Sequence, residues 1–195
     1  MEFVGTEPRA LAVTAEQFRR ATPMVLGGDE SDLTLEGYLL AAQEVVETAS
    51  GRQIGQGLYR FTLQAVAGWR KWYFPCAPVD RIEAARAIGP DGVPAEIPLE
   101  ELILRGGRSA PFVQVPRGWG VTASGEVEVE LDAVCGLPEG DRAIEPLRNA
   151  MILIAQDWLR AGFLPEELEA YRMSFGALRL IKAARYQRPS VMGFD

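Results

Sequence analysis

No histidine occurs anywhere in the 195-residue chain. That absence removes Ser-His-Asp and Cys-His nucleophile activation, His-ligated zinc and the commonest general base. Any catalysis would have to run on carboxylates, lysine or a cofactor. Lysine is scarce as well: Lys71 and Lys182 stand among 20 basic residues, and the others are arginine. Two cysteines, Cys76 and Cys135, lie far apart in sequence. They form neither a metal-ligand spacing nor a disulfide framework, so both are expected to be reduced and partly buried. No run reaches the roughly 18 apolar residues of a membrane span. The N-terminus lacks the basic-then-apolar order of a signal peptide, so a soluble protein made inside the cell is expected. A net charge of −7 argues against general nucleic-acid binding by the whole chain.

The residues that are present supply a core. The chain is 48% hydrophobic, which fits one folded domain or one domain with an appended arm. The most organised stretch runs from Glu126 to Gly162. Val127, Val129 and Leu131 alternate with Glu126, Glu128 and Glu130, the period of a strand with one dry face and one wet, acidic face. Gly136-Leu137-Pro138-Glu139-Gly140 breaks the backbone. A helix follows, with Pro146 in its first turn and Gly162 at its stop. Leu147, Ala150, Met151, Ile154, Trp158 and Ala161 recur at helical spacing, and Ile152, Leu153, Ala155 and Leu159 widen the stripe into that of a central helix.

Elsewhere the pattern switches between the two periods. Residues 1–13 read as a loose lead-in. Thr14 and Gln17 form a capping box for a short helix to about Ala21. A polar turn over 27–32 precedes a second helix, from about Asp32 or Thr34 to Ser50. Its stripe is Leu35, Leu39, Ala42, Val46 and Ala49, with Gly51 to end it. Tyr59, Phe61, Leu63 and Ala65 then alternate with Arg60, Thr62 and Gln64, as a strand requires. The Trp69–Phe74 cluster reads as a strand entering the core rather than as a base-stacking platform. Val79–Ile88 is expected to be a strand, Gly89-Pro90-Asp91-Gly92 a turn, and Val93–Leu104 a returning strand disturbed by Pro98. Phe112–Val115 makes a short strand. Gly106-Gly107-Arg108-Ser109 is not a phosphate loop, because no GK[ST] follows.

After Gly162, Pro165, Glu166 and Glu167 start a last helix that could run to about Gln187, with Gly176 as a weak point. Between Ala170 and Ser190 there is no acidic residue. Arg172, Arg179, Lys182, Arg185 and Arg188 put five positive charges there, leaving −12 on the rest of a chain whose total is −7. Such an arm either packs on its own domain with a solvated basic face or docks on a partner. Glu96, Glu100 and Glu101, or Asp141 and Glu145, could in principle make an acid/base pair or hold a divalent metal, but nothing in their spacing singles them out. No catalytic residue, metal site or cofactor is expected.

The order of these elements resembles the head–tail connector (adaptor) family of long-tailed phages and gene-transfer agents. The polar turn with LEGYLLAAQEVVETASGRQI resembles that family's second-helix signature, and WYFPCAPVDRI its W-LP-x-x-P-V-x-x-I segment. A hairpin turn containing Asp-Gly follows. EVEVELDAVCGLPEGDRAIEPLRNAMILIAQDWLRAG is similar to its closing strand, Gly-containing loop and P-x-x-L-R-x-A-x-L-x-L-x-x-x-W helix. The resemblance covers about Thr14 to Gly162. Phe74-Pro75 departs from the usual leucine before proline, and the C-terminal arm is variable in the family.

The resemblance implies an α+β fold: a small helical bundle with an inserted antiparallel β-hairpin region and a C-terminal helical arm. The connector-like domain would span 1–162, with the β-rich insertion at about 55–134 and the arm at 163–195. It implies a structural virion protein and no enzyme. Such a protein forms a ring, typically a dodecamer, beneath the portal and joins it to a tail-side connector or stopper protein. DNA passes through without specific binding, and no membrane is involved. The chain would reside at the head–tail junction of the particle, and in host cytoplasm during assembly. On this reading Glu126, Glu128 and Glu130 are candidates for a lumenal face. Arg172, Arg179, Lys182, Arg185 and Arg188 are candidates for portal docking, and removing 166–195 should abolish attachment while leaving the domain folded. The alternative is a DNA-binding or packaging accessory protein acting through the basic arm.

Overall fold

A computed structural model describes residues 1–6, 9–23, 30–65, 70–89, 91–107, 109–115, 127–162, 173–189 and 192–193. The fold is α+β, and the chain divides into two compact units, each discontinuous in sequence. A helical unit comprises Ala10–Gly55 and Leu137–Arg185, and a sheet unit comprises Met1–Arg9, Gln56–Gly136 and Tyr186–Asp195. Each has its own apolar core.

Among the described residues four helices build the helical unit, and their ends are set by local chemistry. Helix α1 (Ala15–Ala21) opens on the expected capping box: the Thr14 hydroxyl accepts from the Gln17 N–H at 3.2 Å, and the Gln17 amide oxygen accepts from the Thr14 N–H at 2.9 Å. Helix α2 (Asp32–Ser50) is capped by the Ser31 hydroxyl and ends on Gly51 at φ 64°, where a side chain would be strained. Helix α3 (Ile144–Ala161) carries Pro146 in its first turn and stops at Gly162. Asp141 accepts from the Ala143 N–H just ahead of it, at 2.9 Å. Helix α4 (Phe175–Ala184) is capped by Ser174.

Helix α3 is the hub: α2 and α4 both pack against it. Leu147, Ala150, Met151, Ile154 and Trp158 are at most 2% exposed. Ala161, placed on the same stripe by its spacing, is exposed as the last helical residue before Gly162. Two polar side chains of α2 lie inside this unit, where alternation of apolar residues gave no sign of them. Gln43 accepts from the Ala12 N–H (2.9 Å) and donates to the Ala10 carbonyl (3.3 Å). Glu47 accepts from the Ile54 N–H (2.9 Å) and from Gln43 (3.1 Å). Burial makes such bonds obligatory, and these fasten the segments before α1 and after α2 to the bundle.

Among the described residues the sheet unit contains two antiparallel sheets. The first has the order β1–β2–β8–β4–β5, with β1 at Glu2–Phe3, β2 at Gly57–Ala65, β8 at Val127–Cys135, β4 at Val79–Ile88 and β5 at Pro94–Glu96. The second has the order β6–β7–β3–β9, with β6 at Ile103–Arg105, β7 at Phe112–Gln114, β3 at Lys71–Tyr73 and β9 at Met192–Gly193. Their apolar residues form one cluster, with Phe61, Trp72 and Phe74 stacked edge-on at centroid distances of 4.9–6.1 Å.

Three sequence expectations are corrected. The lead-in is not loose along its whole length: Glu2 and Phe3 pair with Arg60 and Tyr59. The returning strand over 93–104 is two short strands in different sheets. Pro98, which has no N–H for a ladder, precedes a 3-10 turn at Leu99–Glu101 that redirects the chain between them. The last helix ends at Ala184 rather than near Gln187. Arg185 has extended φ/ψ, and the chain returns to the second sheet, where β9 pairs with β3. Gly176 sits in the first turn of α4, where its low helix propensity matters little. The expected helical start at 165–167 lies outside the described residues.

Candidate functional site

Strand β8 is central in its sheet, with β2 on one side and β4 on the other. Its inward residues are Val127, Val129, Leu131 and Ala133, all at most 3% exposed. Its other face carries Glu128, Glu130 and Asp132; Glu126 lies outside the described residues. This face is not a row of free carboxylates. The register sets Arg60 opposite Asp132 from β2, and Arg86 opposite Glu130 from β4.

Arg60 grips Asp132 with two bonds, Nε to Oδ1 at 2.7 Å and Nη2 to Oδ2 at 3.0 Å, while Arg86 Nη1 reaches Oδ2 at 3.0 Å. Glu130 completes the group at 3.8 Å from Arg60 and 3.6 Å from Arg86. Two guanidiniums therefore cancel two carboxylates. Hydrogen bonding from Arg60, aided by Arg86, holds the Asp132 carboxyl below the usual carboxylate range, and burial opposes that shift. Asp132 raises Arg60 in turn, chiefly through the same bond. Glu128 accepts from Gln64 Nε2 at 2.9 Å. Sequence reading missed Arg60, Arg86 and Asp132 as a unit. The available signal was a cation at an outward position in each flanking strand.

The basic C-terminal residues separate into two environments. Arg179, Lys182 and Arg185 are exposed, and none makes an ion pair among the described residues. Arg188 is engaged inside the sheet unit. Its Nε donates to the Tyr73 carbonyl at 2.8 Å, its Nη2 donates to the same oxygen, and the guanidinium lies 5.3 Å from the Trp72 ring centroid. Burial lowers its pKa from the ordinary arginine value. Beside it, the Tyr186 hydroxyl donates to the Phe74 carbonyl at 3.1 Å. Arg172 lies outside the described residues.

Residues 173–185 belong to the helical unit, and 186–189 and 192–193 to the sheet unit. Ala177 and Ile181 are at most 3% exposed in the helical core. The segment 166–195, expected to be removable from a domain that stays folded, carries these two core residues.

The carboxylates weighed for catalysis do not converge. Glu96 ends β5, and Glu100 and Glu101 sit in the 3-10 turn. Asp141 accepts from the Ala143 N–H ahead of α3, and Glu145 pairs with Arg148 at 3.1 Å. Among the described residues, no three His, Cys, Asp or Glu side chains gather as metal ligands, and no helix is long and apolar enough to cross a membrane. Cys76 and Cys135 are free and fully buried rather than partly so. They are neighbours despite their separation in sequence: contact with Cys76, then burial, pushes the Cys135 thiol well above its ordinary range.

The whole chain has counterparts among solved structures. It matches a chain of the neck of a native gene-transfer-agent (GTA) particle computed with C12 symmetry, at 23% identity and TM-score 0.63, over 100% of both chains. It matches a chain of the virion of a native GTA particle at 22% identity and TM-score 0.65, over 97% of each. A chain from the neck of an empty GTA particle computed with C6 symmetry gives 23% identity and TM-score 0.63, over 97% of this chain and 98% of the other. At these identities the likeness is one of fold. No protein-family model and no curated protein matches the chain. The sequence resemblance to head–tail connectors agrees with these neighbours.

Proposed function

We propose that the chain is a structural component of a tailed particle's neck, an adaptor ring beneath the portal that continues the DNA channel towards the tail. The observation that carries this reading is end-to-end coverage of neck chains by both units together, reached independently of the motif order in the sequence.

On this reading the β8 face, with Glu128 and Glu130 and with Glu126 just ahead of the strand, is a channel wall. Because Arg60 and Arg86 cancel Glu130 and Asp132, the wall offers duplex DNA no phosphate-neutralising surface. Portal contact falls to exposed cations of the C-terminal stretch. Arg188 is not one of them, since its guanidinium is held by Tyr73 and Trp72. The remaining partners are the tail-side protein and further copies of this chain.

The test is genetic and structural. Particles made without the chain should accumulate as heads without tails, and particles made with it should carry it at the neck in ring copy number. Tailed particles that assemble normally in its absence would refute the reading. Steeply salt-dependent duplex binding that is lost in Arg185→Glu would point instead to a DNA-packaging accessory.

A further inference from the structure

Two helix faces of the helical unit are left uncovered, and they are opposite in character. On α2 the outward stripe is Leu33, Glu36, Leu40 and Glu44. Leu33 is 80% exposed and Leu40 40%, and both glutamates are exposed. On α4 the outward stripe is Phe175, Arg179 and Lys182; Phe175 is 80% exposed and both cations are exposed. None of these four charges makes an ion pair among the described residues, whereas neighbouring Asp32 pairs with Arg19.

The two stripes share a pitch. Glu36, Leu40 and Glu44 follow one another at four-residue steps, as do Phe175 and Arg179. Each step is about 6 Å along a helix axis. A phenyl ring set on Leu40 therefore brings the Arg179 guanidinium level with Glu44 or Glu36, whichever way the helices run.

We infer that the α4 stripe of one copy docks on the α2 stripe of a second copy of this chain, making a head-to-tail contact that repeats around a ring. This rests on the ring reading above and assigns it an interface. Self-matching of either stripe is disfavoured, since Arg179 and Lys182 would meet cations and Glu36 and Glu44 would meet carboxylates. Two different complementary surfaces make a heterologous contact, the kind that closes into rings of higher order than two. An exposed phenylalanine among cations facing leucines among carboxylates combines an apolar anchor with charges that fix partner and direction. The assignment takes Arg179 and Lys182 out of the portal contact and leaves Arg185 to it.

The experiment uses the full chain carrying Leu40→Cys or Phe175→Cys, treated with a short bismaleimide. Cys76 and Cys135 are buried and do not compete. Mixing the two single variants should give a cross-linked dimer that neither gives alone, and the double variant should give a ladder of multimers. Reversing Glu36 and Glu44 to lysine, or Arg179 and Lys182 to glutamate, should each cut the yield about tenfold, and combining both reversals should restore it. Parallel electron microscopy of the unmodified chain separates the two levels of the claim. Rings without a ladder would overturn this interface and leave the ring reading standing. No rings and no cross-link at any concentration, with portal added as well as without it, would overturn both. Cross-linking of a single variant with itself would replace the contact with an isologous one.

Discussion

The helical unit and the sheet unit are held together by different means. In the helical unit the helix ends are set locally, by caps three residues away and a glycine at the end of each long helix, and the helices then join by apolar packing of α2 and α4 on α3. In the sheet unit the defining contacts are distant in sequence. Asp132 is bound by Arg60 and Arg86, which lie 72 and 46 residues before it, and Tyr73 and Phe74 are bound by Arg188 and Tyr186, more than 100 residues on. The first unit depends on packing, whereas the second also depends on ion pairing and on the returning C-terminus. Changing one residue of each kind tests the distinction.

The largest effect is expected at Trp158, which is 2% exposed in the α3 hub. Trp158→Ala should destabilise the chain by about 3–5 kcal/mol in denaturant unfolding, through the cavity it leaves. Trp158→Phe should cost much less, because the indole N–H has no partner among the described residues. A folded, stable Trp158→Ala chain would show that packing on α3 does not hold the helical unit.

Next comes Asp132. Asp132→Ala strands two arginines on the sheet, and with those side chains about a third exposed the loss should be about 2 kcal/mol. The pH dependence has a definite sign. The Asp132 carboxyl is held below its unfolded value of 3.8, so its contribution is present above that pH and is lost as pH falls through the folded value. Stability measured from pH 6 downward should therefore fall more steeply below about pH 4 in the parent chain than in Asp132→Ala. Equal slopes would remove Asp132 from the account.

Arg188→Ala should cost about 1–2 kcal/mol and, more tellingly, expose the residues beyond Ala184 to protease while the helical unit stays folded. The smallest effect is at Thr14, where Thr14→Ala removes one half of the capping box for about 1 kcal/mol. Protease resistance unchanged in Arg188→Ala would mean that the C-terminal return is not fastened as described.

The same contrast explains what could be read in advance. Helix α2 begins at Asp32 and ends at Ser50, and strand β4 spans Val79–Ile88, all as their patterns indicate. Local periodicity and caps suffice for boundaries of that kind. The buried Gln43 and Glu47 were not legible, because their partners are backbone groups of segments with no periodicity. Glu130 read as wet because an alternation cannot show which residues the adjacent strands set beside it. For the basic arm the sequence left open packing on its own domain or docking on a partner, because five cations without a carboxylate look solvated in either case. Only the fold shows that Arg188 is engaged internally.

The central claim is that this chain closes into a ring on the portal. Electron microscopy of the purified chain mixed with portal tests it most directly. The account predicts a uniform ring with an open central channel, seated on one face of the portal and built from head-to-tail copies. Chains that remain monomeric in the mixture, with the portal face bare, would contradict it.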